Sequence, residues 1–400
     1  MTAPGARSSG VELLGYHDLD GRPGFKMALQ VVGGRSYLYL THFWEPRLSI
    51  LDVTDPGEMR LVGAIEGPER TATWQVQVAD GLLVQGLEVR PPAWGGDPAA
   101  PGEEGIRLFD VTNPVAPRQL GVWRTGHVDG VHRNHYAGGR YLHVAAAREG
   151  FEGNIYVVLD VSDPAHPVEV GSWHLPEQRI GQGAGRRVSF HGPAYVAGDR
   201  AYLGYGAAGL VILDIADPAE PRLVSRLEFG PAFSSMIATH TAIPLPDRDL
   251  VIVNTEAIAE RQREAYNFAG LVDVSDETAP RLVSLLPTPV PPADAPYPNF
   301  SLRGGRFGPH NQHHPQGPDL FASDELLVMT WFNAGLRVFD ISDAYLPREI
   351  AWYLPDDPAE RRGLLPRDLV TQSEDVLVDA RGVIFFTDKN HGVHAVRLAG

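Results

Sequence analysis

LVILDIADP, at residues 210–218, is an apolar strand closed by an aspartate, a short linker and a proline. The same phrase stands at 48–56 as LSILDVTDP, at 106–114 as IRLFDVTNP and at 156–164 as YVVLDVSDP. It returns as LVDVSDETAP at 271–280 and as LRVFDISDAYLP at 336–347. The leading aspartates are Asp52, Asp110, Asp160, Asp214, Asp273 and Asp340. A degenerate seventh copy, GVHAVRLAG, closes the chain at 392–400. Self-similarity at such a period is the mark of a repeat architecture.

Each copy sits inside a longer pattern. Upstream lies a Gly- or Asp-centred turn between two apolar runs, as in YAGGRYLHVAA at 136–146 and YVAGDRAYLGYG at 195–206. Such turns between alternating runs predict hairpins. Downstream of the proline comes one more short strand, such as RLVGAIE at 60–66. An Asp-Pro linker suits the turn, because Asp bonds its own backbone and Pro presets φ. Each unit therefore predicts a four-stranded antiparallel meander of about 40–45 residues, the size of a propeller blade. The chain predicts an all-β fold, one seven-bladed β-propeller domain over residues 1–400. The seventh copy lacks an outer strand, and VELLGY at 11–16 matches the pattern of the missing one. It is expected to complete the last blade and close the ring, which protects the sheet edges.

The phrase resembles the signature of the LVIVD-repeat family, whose members look like β-propellers. The resemblance covers almost the whole chain. It implies architecture and says little about activity, because fold alone does not assign function.

Composition narrows the chemistry. Asp and Glu outnumber Lys and Arg 50 to 34, a formal net charge of −16. Such a chain repels phosphate backbones, so nucleic acid is not an expected partner. There is no Cys, which excludes disulfides, thiolate metal sites and a catalytic thiol. No run approaches eighteen apolar residues, so no membrane span is expected. The opening MTAPGARSSG has no apolar signal core, and a cytoplasmic protein is expected. There is no P-loop, GxSxG elbow, HExxH helix or DxDxDG calcium loop. Oligomeric state is left open.

In a propeller the first strand of each blade lines the central channel, and its start points into one mouth. Aligning the blades on the hairpin turn places Lys26 of FKMALQ, Trp74 of TATWQVQ and Glu374 of QSEDVLVD there. Between them, four consecutive blades place histidine. These are His132 and His135 in VHRNHYAGG, His191 in SFHGPAYVAG, His240 in THTAIPLPD, and His310, His313 and His314 in GPHNQHHPQG. Nothing in blade packing asks for His at that position, and neutral imidazole suits Fe, Zn, Cu or Ni. His132, His191, His240 and His310 are the expected ligands of one transition-metal ion on the axis. His135, His313 and His314 are alternates. Glu374 is expected to orient a ligand, and Lys26 or Trp74 to touch substrate. A single channel histidine can equally bond a backbone carbonyl. The remaining histidines are set outside the site, with His391 and His394 expected at the surface or in a loop.

Insertions at 89–105, 176–190, 257–269, 287–318 and 356–373 are expected to build a pocket over the channel mouth. Trp94, Tyr266, Phe268, Phe300 and Phe307 are among their aromatic residues, and 257–269 reads as a short helix. Arg186, Arg187, Arg303 and Arg306 can either bind a substrate carboxylate or pair with surface acids. A four-His site on a propeller axis resembles that of the carotenoid-cleavage oxygenases. The resemblance is architectural: their blade motifs are absent, and the fourth His here is on blade 6. It implies Fe(II) and O₂-dependent oxidation of an apolar small molecule; by ligand chemistry alone Zn, Mn, Cu or Ni are alternatives. Two other functions stay open, non-redox metal catalysis such as hydration or hydrolysis, and a non-catalytic ligand- or protein-binding propeller.

Overall fold

In the computed structural model, which describes residues 3–97, 99–100, 102–182, 188–229, 235–315 and 317–399, seven antiparallel sheets form the blades of a propeller ring. Blade 1 is Gly24–Val32, Arg35–His42, Arg47–Asp52 and Arg60–Glu66. Blade 3 is Val131–His135, Tyr141–Ala147, Asn154–Asp160 and Val168–Trp173, and blades 2, 4 and 5 repeat the plan. In blade 6 the innermost place is taken by residues 310–313. The His310 N–H donates to the Thr330 carbonyl (3.0 Å) and the His313 N–H to that of Val328 (2.9 Å).

The ring closes as expected. Val11–His17 pairs with Gly392–Leu398 as the fourth strand of blade 7. Its ladder slips between Leu13 and Gly15, at the place where the third and fourth strands of blade 1 slip between Ile50 and Leu51. A strand not foreseen, Ala6–Ser9, pairs with Arg348–Pro355 at the outer edge of blade 6. The chain steps between these two blades at Gly10, whose φ is 68°. A side chain there would meet the Ile350 carbonyl oxygen at 3.1 Å, so the step depends on glycine.

The repeated phrase has a local cause. Asp52 Oδ1 accepts from the Thr54 N–H (3.0 Å) and hydroxyl (2.6 Å). Asp160 does the same with Ser162 and Asp340 with Ser342. The second acid of the phrase caps the next turn: Asp217 Oδ1 accepts from the Ala219 N–H at 3.0 Å. These side-chain turns hold the linker in one conformation and fix the register of the fourth strand.

Packing is between blades. Seven apolar clusters fill the seven blade-to-blade interfaces, for example Leu38, Leu40 and Leu51 against Leu377, Phe385 and Val393 where blade 7 meets blade 1. Burying each such side chain stabilises the fold by roughly 1.5–3 kcal/mol. An eighth cluster, Phe25, Phe43, Ala72 and Trp74 with Trp44 and Trp94 against it, is aromatic and joins blades 1 and 2 apart from their main apolar interface.

Two expectations are corrected. Residues 257–269 form no α-helix; a single 3₁₀ turn, Glu260–Gln262, is all that forms. Arg261 and Gln262 have φ of 57° and 48°, and Glu264 ties the loop by accepting from the Ile258 and Ala259 N–H groups (2.6 and 2.7 Å). His391 and His394 are buried, and His394 stacks on Phe386 with ring centroids 4.7 Å apart. They lie on or beside the third strand of the closing blade, which is covered by Val11–His17. Among the described residues no helix is long and apolar enough to cross a membrane.

Candidate functional site

The innermost hairpins carry a shared irregularity. Their ladders slip between Gly24 and Met27, Val131 and Arg133, Ile237 and Thr241, and Ser373 and Val376. A regular strand sends successive side chains to opposite faces, whereas a bulge re-aims them. The slipped segments hold Lys26, His132, His240 and Glu374. His191 and His310 precede the regular part of their strands, and the His191 N–H is anchored on the Gly204 carbonyl at 3.0 Å.

The four expected ligands converge. His132 Nε2 lies 3.2 Å from His191 Nε2. The ring centroids of His191 and His240 are 5.1 Å apart, and those of His240 and His310 5.2 Å. A fifth group joins them that sequence inspection missed: Glu256, the last residue of Leu250–Glu256. Its Oε2 is 3.1 Å from His191 Nε2 and 3.5 Å from His240 Nε2, and its Oε1 is 3.6 Å from His310 Nε2. Donor atoms of His191, His240 and Glu256 all lie within 4.8 Å of one another. An ion with N and O ligands at about 2.0–2.2 Å sets adjacent donors about 3–3.5 Å apart, which these spacings match.

The far side of three imidazoles is fixed. His132 Nδ1 is 2.8 Å from Glu88 Oε1, and His240 Nδ1 is 2.5 Å from Thr241 Oγ1. His310 Nδ1 meets the Glu374 carbonyl oxygen at 2.7 Å and its Oε2 at 3.2 Å. Glu374 thus meets His310 on the side of the ring away from Nε2. Such partners set the tautomer and aim Nε2 inward.

Charge is dense and mostly paired. Glu374 Oε1 accepts from Lys389 Nζ (2.8 Å) and Arg306 Nη2 (3.1 Å). Arg306 also donates to Glu256 Oε1 at 3.1 Å. Burial alone would raise the Glu374 carboxyl, but Lys389 and Arg306 override it and hold it at about 2. Burial pushes the Lys389 ammonium down to about 8, with Arg306 adding to the effect. Burial, and then His132, push His191 down to about 3. Burial and the neighbouring Arg133 push His240 well below the usual imidazole range. His191 and His240 therefore sit as neutral imidazoles.

Two connected spaces serve the cluster. An inner cavity of about 50 Å³ is lined by His132, His191, His310, Glu256 and Arg133, with Phe25, Phe43, Trp74 and Trp94 as its aromatic wall. A cleft of about 580 Å³ shares His132, His191, Trp94 and Ile258 with it and is bounded further out by Val89, Met236 and Ile237. Trp74 lies where it was expected and stacks on Phe43, centroids 4.9 Å apart.

Other expected residues lie elsewhere. Lys26 pairs with Asp375 at 2.7 Å and lines a separate cavity of about 30 Å³ with His313 and His314. His135 stands beside His314, ring centroids 5.7 Å apart, so the three alternate histidines belong to that second stretch of the channel. Phe300 and Phe307 are not in the pocket. They pack in the core between blades 5 and 6 with Trp331, because Asn333 bonds the Phe300 carbonyl and draws that loop inward. Arg303 pairs with Asp357 at 2.7 Å; Arg186 and Arg187 lie outside the described residues.

Comparison with known proteins agrees on architecture. The family model of the LVIVD repeat matches residues 137–174 and 194–228, which are blades 3 and 4. No curated protein matches the chain. The β-propeller domain of Cps50 (Swd1) from Myceliophteria thermophila is similar in fold, with a TM-score of 0.57 at 12% identity, over 94% of this chain and 99% of that one. The computationally designed Ika8 protein aligns with a TM-score of 0.50 at 9% identity, over 96% of this chain and 98% of that one. Both likenesses concern the fold alone. The chain carries LVIVD repeats on a seven-bladed β-propeller.

Proposed function

We propose that the chain is a metal-dependent enzyme whose ion sits on the propeller axis, held by His191, His240 and Glu256 with His132 and His310 beside them. The observation that carries this is the convergence of donor atoms of His191, His240 and Glu256 within 4.8 Å, beside an aromatic cavity that His191 and Glu256 line. Two imidazoles and a carboxylate with positions left open suit Fe(II) and the activation of O₂. The reaction class is oxidation by O₂ of an apolar small molecule, bound against Trp74, Phe43 and Trp94 and reached through the larger cleft. Arg306 and Lys389 hold Glu374, Glu374 aims His310, and the aromatic wall excludes water from the ligand set. With a net charge of −16, nucleic acid has no part in this function, and a soluble cytoplasmic enzyme fits it.

The test is oxygen uptake by protein loaded with Fe(II) or with Zn(II), supplied with alkenyl aromatic compounds. Uptake by the iron form that disappears in His240→Ala supports an oxygenase. Hydration or hydrolysis by the zinc form without oxygen uptake assigns a Lewis-acid enzyme instead. Neither activity, in protein that binds no metal, leaves a binding propeller.

A further inference from the structure

Arg133 is 3% exposed and lines the inner cavity. It differs from the other cations around the site. Arg306 has Glu256 and Glu374, Lys389 has Glu374, and Lys26 on the axis has Asp375. Arg133 has no carboxylate within 4.0 Å among the described residues. Its hydrogen bonds go to two neutral acceptors, Gln75 Oε1 at 3.1 Å and His240 Nε2 at 2.8 Å, and its Nε has no partner. A guanidinium offers five donors and stays charged. Taking such a charge out of water without an acid partner is costly, so a residue of this kind is kept for something other than stability.

The His240 bond sharpens the point. The lone pair that Arg133 occupies is the one an ion would use. With the ion in place, Arg133 keeps only Gln75. The charge balance moves the same way: Arg133, Arg306 and Lys389 face Glu88, Glu256 and Glu374, three against three. A divalent ion then leaves two positive charges uncompensated in a buried site. Bidentate pairing with a carboxylate is what the guanidinium fork matches best.

We propose that Arg133 is the anchor for an anionic substrate, and that the enzyme acts on small apolar carboxylic acids. The carboxylate pairs with Arg133 at the floor of the inner cavity, and the hydrocarbon part lies along Trp74, Phe43 and Trp94 toward the cleft. This deepens the metalloenzyme assignment and rests on it for the role of the bound acid, but the anchor itself needs no metal. Arg303 and Arg306, the described arginines that sequence inspection offered for such a role, are committed to acids.

The experiment is calorimetric titration of the full chain with trans-cinnamate, octanoate and benzoate, each against its neutral amide, and with inorganic phosphate. It is done after chelator treatment and again after metal loading, with wild type, Arg133→Met and Arg133→Lys. At least one acid is expected to bind wild type ten-fold or more tightly than its amide, and more tightly still after metal loading. Arg133→Met is expected to abolish the preference and Arg133→Lys to restore part of it. Arg133→Met is also expected to melt at or above the wild-type temperature, which separates lost anchoring from lost folding. Acids and amides bound alike, no acid bound at all, inorganic phosphate bound as well as the acids, or a preference surviving in a folded Arg133→Met would each overturn the proposal. Acid binding that depends on Arg133 in protein that takes up no metal would keep the anchor and sink the metalloenzyme.

Discussion

His132 and His191 face each other Nε2 to Nε2 at 3.2 Å, while Glu88 holds the opposite nitrogen of His132 at 2.8 Å. A carboxylate oxygen accepts, so the neutral imidazole tautomer that fits Glu88 carries its proton on Nδ1 and leaves the lone pair on Nε2. His191 Nε2 lies between that lone pair and Glu256 Oε2, 3.1 Å away. One N–H on His191 therefore answers two acceptors, and an ion placed there would answer all three groups.

Replacing Glu88 by Gln removes the group that fixes the His132 tautomer. Metal affinity, measured by competition with a chelator, is expected to fall about 10–100-fold. The melting temperature should change little, because Glu88 is partly exposed and lies at the edge of the cleft. Unchanged affinity in Glu88→Gln would show that His132 is not a ligand.

A pH dependence of stability follows from His42, which is fully buried between Pro23 and Ser49. Burial pushes its imidazole down to about 4 from the usual 6.5. Between those values the unfolded chain binds a proton that the folded chain refuses. Its contribution is complete above pH 6.5 and is lost as pH falls toward 4, at up to about 1.4 kcal/mol per pH unit. Urea unfolding at pH 7, 6, 5 and 4.5 should show a shallower loss in His42→Gln than in wild type. Parallel lines would contradict the assignment.

The N-terminal strands differ in what they hold. Ala6–Ser9 is mostly exposed on the outer edge of blade 6, whereas Val11–His17 completes blade 7 and buries Val11. Removing residues 1–9 should lower the melting temperature by a few degrees at most and leave a monodisperse protein. Removing residues 1–17 strips the edge of Gly392–Leu398 and should give aggregation in gel filtration. Equal behaviour of the two truncations would mean that ring closure does not depend on Val11–His17.

The propeller was legible because its cause is local and repeated. Asp52, Asp160 and Asp340 each bond the backbone two residues on, so one turn chemistry leaves one phrase. The histidines were legible for the same reason, since they recur at one position of the blade. Glu256 and Glu88 were not, because they lie near the far ends of second strands, in VNTE and QGLEV, and only the antiparallel ladder brings those ends beside the start of the first strand. An acid near the end of an otherwise uncharged second strand was the available signal. Arg133 was hidden by alternation: next to His132 it should face the other way, and only the slip between Val131 and Arg133 turns both inward. Phe300 and Phe307 were misplaced because aromatic residues in a long loop read alike whether the loop covers a pocket or enters the core. Their burial is a matter of tertiary packing.

The central claim is that the axis of this propeller holds a metal ion. It is tested most directly by elemental analysis of untagged protein, purified without chelator, beside the His191→Ala/His240→Ala double variant and Glu256→Gln. The expected result is about one equivalent of a transition metal, iron foremost, in the wild type, and its loss in both variants with the fold kept by circular dichroism. No metal in the wild type as purified, and none after reconstitution with Fe(II), Zn(II), Mn(II), Cu(II) or Ni(II), would contradict it.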